Sequence, residues 1–167
     1  KVSYFGKNYH GWQKQDNAIS VQENIETVLS QILNTPTTIY GAGRTDAGVH
    51  AKGQTFHFEV RDDIDLERLR YSANKLLKDQ IHIISMQVVD ADFHARYSAK
   101  GKKYQYLINL GEIDPLSSEL EYHYPYPFDL ALFKQAINKF VGKHNFQDFT
   151  SKEEDISNFI REIYEIK

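Results

Sequence analysis

The apolar residues of this chain change their spacing repeatedly before residue 90, and that alternation of periods limits the fold more than any other feature. Val2 and Tyr4 recur every second residue, as on a strand with one buried face. A polar loop runs to Asn17. From Ser20 the spacing becomes helical, with Val21, Ile25, Val28, Leu29 and Ile32 on one face. Ser20 and Glu23 form the pattern that caps a helix start reciprocally, and Pro36 prevents its continuation. Residues 37–40 are β-branched and aromatic and predict a strand; Phe56, Phe58 and Val60, alternating with Thr55, His57 and Glu59, predict another. A second helix from Asp65 places Leu66, Leu69, Ala73, Leu76 and Leu77 on one side, and residues 81–89 predict a fourth strand. Strand, helix, strand, strand, helix, strand is the order of a split βαβ, or ferredoxin-like, domain. Its antiparallel sheet carries both helices on one face and leaves the other open.

After a link at 90–98, Tyr104, Tyr106, Ile108 and Leu110 alternate as a further strand. A third helix comes next, with Leu130, Phe133, Ile137, Phe140 and Val141 inward and Gly142 as its terminator, and residues 159–167 read as a strand. The expected fold class is α+β: a ferredoxin-like N-terminal domain over residues 1–92, then the beginning of a second α/β domain over 93–167, left incomplete. The chain opens at Lys1 inside an apolar alternation and stops inside a strand-like segment, so both ends are expected to be cuts in a longer reading frame.

Composition narrows the class. With 41% hydrophobic and 26% charged residues the chain reads as globular, and no apolar run approaches the ~20 residues that span a bilayer. The lack of cysteine excludes disulfides and thiolate sites and fits a reducing cytoplasm. Net charge is −3, yet residues 96–103 read Arg-Tyr-Ser-Ala-Lys-Gly-Lys-Lys, four cations without an acid. Acidic residues gather instead at 62–67, 119–121 and 153–155. A basic stripe on an acidic body can grip phosphates through local contacts, whereas a solvated charged turn is the commoner fate of such a run. Both readings stand at this point.

Residues 41–51, Gly-Ala-Gly-Arg-Thr-Asp-Ala-Gly-Val-His-Ala, lie between two expected strands. Gly43 and Gly48 have the separation of a Walker loop, but Val49 and His50 stand where its lysine and hydroxyl belong, and a strand comes next in place of a helix. Gly41 and Gly43 fit the first two glycines of a dinucleotide fingerprint, but Asp46 occupies the third. A tight loop capped by Asp46 is the plain alternative, although Arg44, Asp46 and His50 together are more polar than a simple turn requires. His50 and His94 lack converging ligand partners, so no metal site is expected.

The same string resembles the signature of the TruA-type tRNA pseudouridine synthase family. Residues 4–13 (Tyr-Phe-Gly-Lys-Asn-Tyr-His-Gly-Trp-Gln) are similar to the family's opening motif and 20–23 to its first helix start. Gly53-Gln54 and His57-Phe58 are similar to the family's segment just after the catalytic loop. Residues 92–99, 103–106 and 146–149 are similar to the family's later segments, so the likeness covers essentially the whole chain. Phe5 stands where the family often has aspartate. The resemblance implies Asp46 as nucleophile, with Arg44 keeping it anionic, contacting phosphate or filling the gap of an extruded base. It implies Tyr104 stacking on the flipped uracil, and Lys14, Arg96, Lys100, Lys102 and Lys103 along an RNA groove, with Arg96 and Lys103 as substrate contacts. It further implies a cytoplasmic homodimer acting on the tRNA anticodon arm, with no cofactor, no metal and no membrane. A basic residue that pairs with the aspartate is expected from beyond this endpoint, so the fragment alone is expected to be weak or inactive. An RNA-binding module without chemistry, a nucleotide-dependent enzyme and a hydrolytic N-glycosidase remain alternatives.

Overall fold

A computed structural model describes residues 1–61, 63–150 and 158–167; Asp62 and the acidic cluster at 153–155 lie outside the described residues. The chain forms two compact units, Lys1–Lys103 and Tyr104–Lys167. Both are mixtures of short strands and helices.

In the first unit the central strand is β1 (Val2–Tyr4), antiparallel to two further strands. The long loop to residue 20 leads into helix α1 (Val21–Leu33) and then β2 (Tyr40–Gly41). Then come β3 (Ala51–Gln54), β4 (Phe56–His57), helix α2 (Leu66–Leu77) and β5 (Ile81–Ile83). Strand β1 pairs with β5 on one side, Val2 opposite Ile83 and Tyr4 opposite Ile81. On the other side it pairs with β3, Val2 opposite Gln54 and Tyr4 opposite Ala51, with an irregularity between. Strands β2 and β4 form a separate antiparallel pair, Tyr40 opposite His57. The two helices touch each other and share one apolar cluster with the sheet, in which Val2, Val21, Ile25, Leu29, Ala73 and Ile83 are fully buried. Each large aliphatic side chain among them contributes about 1.5–3 kcal/mol when removed from water.

Local chemistry sets the ends. The Ser20 hydroxyl accepts the Glu23 N–H at 3.1 Å, and the Asn24 amide donates to the Ser20 carbonyl at 3.0 Å; among the described residues the Glu23 carboxylate makes no return bond to Ser20, so one half of the expected reciprocal cap forms. Asn34 closes it in the left-handed conformation (φ 51°), which asparagine tolerates. Asp65 caps α2 by accepting the Arg68 N–H at 3.0 Å. Asn74 of α2 reaches the outer side of β5, donating to the Ile83 carbonyl at 3.0 Å and accepting its N–H at 2.7 Å. That satisfies edge groups no strand covers.

Several expected boundaries shift, each for a physical reason. The strand expected over 37–40 shrinks to β2 because helix side chains satisfy its backbone: Ile39 N–H donates to the Glu26 carboxylate at 3.0 Å and Thr37 N–H to the Ser30 hydroxyl at 2.9 Å. The strand expected from Thr55 begins at Ala51, where small and polar residues hide the period, and Val60 lies outside it, exposed. Residues 81–89 pair only as far as Ile83, since β1 is three residues long. Leu76, expected inward, is exposed.

Glu26 was not legible as structural. It is almost fully buried, it accepts from both Ile39 and the Gln22 amide (2.9 Å), and Lys14 stands 3.9 Å away. Glu26→Ala strands the amide of fully buried Ile39, so urea denaturation is expected to show a loss of about 2–3 kcal/mol. A loss below ~0.5 kcal/mol would mean that water replaces the carboxylate there.

The second unit holds β6 (Ile108–Asn109) parallel to β7 (Tyr122–His123), helix α3 (Leu130–Asn138), and β8 (Gly142–Asn145) antiparallel to β9 (Ile160–Ile163). Only Ile108 of the alternation begun at Tyr104 is paired; Tyr104 and Tyr106 are exposed. Asp129 caps α3 by accepting the Leu132 N–H at 2.9 Å. Gly142 does not terminate that helix directly: it opens β8 at φ 103°.

Candidate active-site loop and cationic cleft

The loop at 41–51 is held from beneath by the segment after β1. Trp12 N–H donates to the Thr45 carbonyl at 3.0 Å, Gly48 N–H to the Tyr9 carbonyl at 3.1 Å, and Gly6 N–H to Nδ1 of His50 at 3.0 Å. The Tyr4 hydroxyl meets Thr45 Oγ1 at 2.9 Å, and Phe5 lies against the His50 ring, centroids 4.5 Å apart. On the far side, Ala42 N–H donates to the Thr55 carbonyl at 2.8 Å and the Gln54 amide to the Gly43 carbonyl at 2.6 Å. Val49 N–H returns to the Asp46 carbonyl at 3.2 Å with Gly48 at φ 78°, the tight turn its glycine predicts.

Within this frame exposure alternates. Arg44 and Asp46 are exposed while Thr45 between them is half-buried. Among the described residues no hydrogen bond or ion pair engages either charged side chain. Asp46 therefore does not cap its own turn with its carboxylate, and it stands free to meet a ligand. The turn is closed by its carbonyl instead.

Beside the loop lies a cleft of about 770 Å³. Its walls carry Arg44, Arg96, Lys100 and Lys102, with no aspartate or glutamate, and the aromatic rings of Trp12, Tyr40, His94 and Tyr97. The basic run at 96–103 is thus partly gathered against the loop. Asp46 itself, Lys14 and Lys103 are not among the lining residues; Lys14 faces Glu26. Tyr104 heads the second unit, outside any strand, and is exposed. Cations interleaved with aromatics suit a phosphate backbone and its bases.

The rings at one wall form a chain that sequence reasoning did not assemble. Tyr40 stacks on His57 at 5.1 Å, His57 meets His94 at 4.6 Å, and His94 meets Tyr97 at 4.4 Å. Ala95 N–H donates to His57 Nδ1 at 3.2 Å and Arg96 N–H to His94 Nδ1 at 3.2 Å, so both imidazoles act as acceptors at that nitrogen. The clustering of Phe93, His94, Arg96 and Tyr97 within five residues is the available signal.

Burial first, and then the charge on His94, hold His57 below the usual histidine range, against a backbone hydrogen bond to Tyr40 and the charge of Glu59. As pH falls, the unfolded chain protonates near pH ~6.5, before the folded one, so the His57 contribution is intact above that value. It is lost as pH falls through the lower folded value. His57→Gln, which keeps an acceptor, is expected to flatten the decline of unfolding free energy below pH ~6.5; an unchanged pH slope would assign the decline to other groups.

Among the described residues no three His, Asp or Glu side chains converge to hold a metal ion, and no helix is long and apolar enough to cross a membrane.

Comparison with known proteins bears on this arrangement. A family model described as tRNA pseudouridine synthase matches residues 2–98. A Streptococcus thermophilus protein named tRNA pseudouridine synthase A is 43% identical over 164 residues, 97% of this chain and 66% of the relative. Its namesake from Streptococcus sanguinis is 40% identical over 168 residues, covering 99% of this chain and 68% of the relative. That from Streptococcus agalactiae is 39% identical over 169 residues, 100% of this chain and 66% of the relative. The chain thus spans a little under two thirds of the length of the Streptococcus thermophilus protein.

Proposed function

The chain belongs to the tRNA pseudouridine synthase family, and from that premise we propose that it isomerises uridine to pseudouridine in the anticodon arm of tRNA. The observation that carries this reading is an exposed carboxylate, Asp46, with no side-chain partner among the described residues, two residues from an arginine that lines an acid-free cationic cleft. In the reaction the glycosidic carbon–nitrogen bond breaks, the base turns, and a carbon–carbon bond forms. The ring carbon loses its proton and the ring nitrogen ends protonated. Reactant and product are isomers, so the step calls for no electron carrier.

Asp46 is the nucleophile, and a carboxylate oxygen of its side chain forms the covalent adduct with the sugar or the pyrimidine ring. Arg44 contacts phosphate or fills the space of the everted base. Arg96 and the lysines of the run to Lys103 hold the backbone, and Tyr104 stacks on the uracil, worth about 1–3 kcal/mol. The role of Tyr104 rests on the resemblance alone. The pairing of β1, β3 and β5, with the antiparallel β2–β4 pair, is read as one split βαβ sheet in the order β5-β1-β3/β4-β2. The enzyme is read as a cytoplasmic homodimer whose N-terminal domain ends near residue 92.

The test is conversion of uridine in an anticodon stem-loop by the longest reading frame that contains this chain. Appearance of pseudouridine is expected; untouched uridine, or release of free uracil, overturns the reading. Replacing Arg96 and Lys102 together by alanine is expected to weaken RNA binding and to reduce the slope of log affinity against log salt by about 2. An unchanged slope would remove the cleft from the RNA path.

A further inference from the structure

We propose that Tyr4 and Thr45 are positioning residues, whose hydroxyl–hydroxyl hydrogen bond fixes the backbone between Arg44 and Asp46 and so sets where those two side chains project. This rests on the reading above, and it concerns residues to which that reading gives no role.

Tyr4 is anchored in the central strand and 4% exposed, with its ring against Trp12 at 5.9 Å. Its hydroxyl is the one polar group its side chain carries into the interior, and it meets Thr45 Oγ1 at 2.9 Å. Burial pushes the Tyr4 phenol up, with the Thr45 hydroxyl pulling it partly back, so it stays protonated across neutral pH. Thr45 is gripped a second time through its carbonyl, which accepts the Trp12 N–H at 3.0 Å. One residue is thus pinned by side chain and main chain, while the side chains of both neighbours are exposed and make no hydrogen bond or ion pair among the described residues. With no hydrogen bond of their own among the described residues, these two charged side chains take their direction from the backbone that the residue between them fixes. The plainer account is a core tyrosine whose hydroxyl found the nearest partner. That account predicts a change in stability and none in the rate of the chemical step.

Tyr4→Phe, Thr45→Val and Thr45→Ser separate the two accounts, measured in the longest reading frame containing this chain with a uridine-bearing anticodon stem-loop. Single-turnover rate is expected to fall about tenfold or more in Tyr4→Phe and Thr45→Val, with RNA Kd within about twofold of the parent, and to survive in Thr45→Ser. Full rates in the first two, or Thr45→Ser as slow as Thr45→Val, overturn the proposal. Amide hydrogen exchange decides independently of turnover. The Trp12 amide is expected to exchange about tenfold faster in Tyr4→Phe and Thr45→Val while those of Ile25 and Leu29 hold their parental rates. Unchanged Trp12 exchange also overturns it. A parent that leaves uridine intact, or an Asp46→Asn variant at full rate, strikes the functional reading instead, and the exchange result then still judges the pin.

Discussion

Asp46→Asn is expected to lower the single-turnover rate of pseudouridine formation by at least about 10³-fold, some 4 kcal/mol of activation free energy, without weakening RNA binding. The substitution keeps shape and removes the charge and the nucleophilic oxygen. Asp46 makes no side-chain hydrogen bond or ion pair among the described residues, so no structural partner is orphaned and the fold is expected to keep its stability. Asp46 does not line the cationic cleft, so the cations proposed to hold the RNA backbone are left in place. Removing an anion near a polyanion leaves affinity equal or higher. The rate is measured at saturating stem-loop and Kd by filter binding. A variant within about tenfold of the parent rate would transfer the nucleophile's role elsewhere.

Which parts of this molecule were legible in its sequence depends on where the physics is local. Helices α1 and α2 are, because Ser20 and Asp65 announce their starts and a 3.6-residue period runs through Ile25, Leu29, Leu69 and Ala73. The strands are only partly so. Ile39 looks like the middle of a strand, yet its amide is taken by Glu26, thirteen residues back on a helix, and no local pattern reports such a bond. Ala51 pairs with Tyr4 of β1 although it has no large side chain to mark a face. The second unit was least legible, since its strands are two to four residues long and Tyr104 and Tyr106 alternate without pairing. At the site, the polar string at 41–51 stood out by composition. The chain Tyr40–His57–His94–Tyr97 did not, because it joins three segments that meet only in the fold.

Gly11→Ala is expected to destabilise the first unit by about 2–5 kcal/mol, where Gly48→Ala costs only about 1–2 kcal/mol. Both glycines have positive φ, 86° and 78°, so both replacements suffer the same left-handed strain. They differ in what the new methyl meets. Around Gly48 there is nothing within 4 Å, whereas a Cβ on Gly11 would run into the carbonyl oxygen of Thr45 and the backbone of Asp46. That oxygen cannot retreat freely, because it accepts the Trp12 N–H, while the carbonyl of Gly11 itself holds the Val21 N–H at 3.2 Å at the start of α1. Relief therefore has to come from lifting the loop that carries Arg44 and Asp46. The two penalties are then coupled to function: Gly11→Ala loses turnover at temperatures where it remains folded, and Gly48→Ala, whose methyl points into open space, loses mainly stability. Urea denaturation of the two variants beside the parent gives the difference directly. Equal losses in the two would show that strain alone, and not the close approach of residues 11 and 45, sets the requirement for glycine.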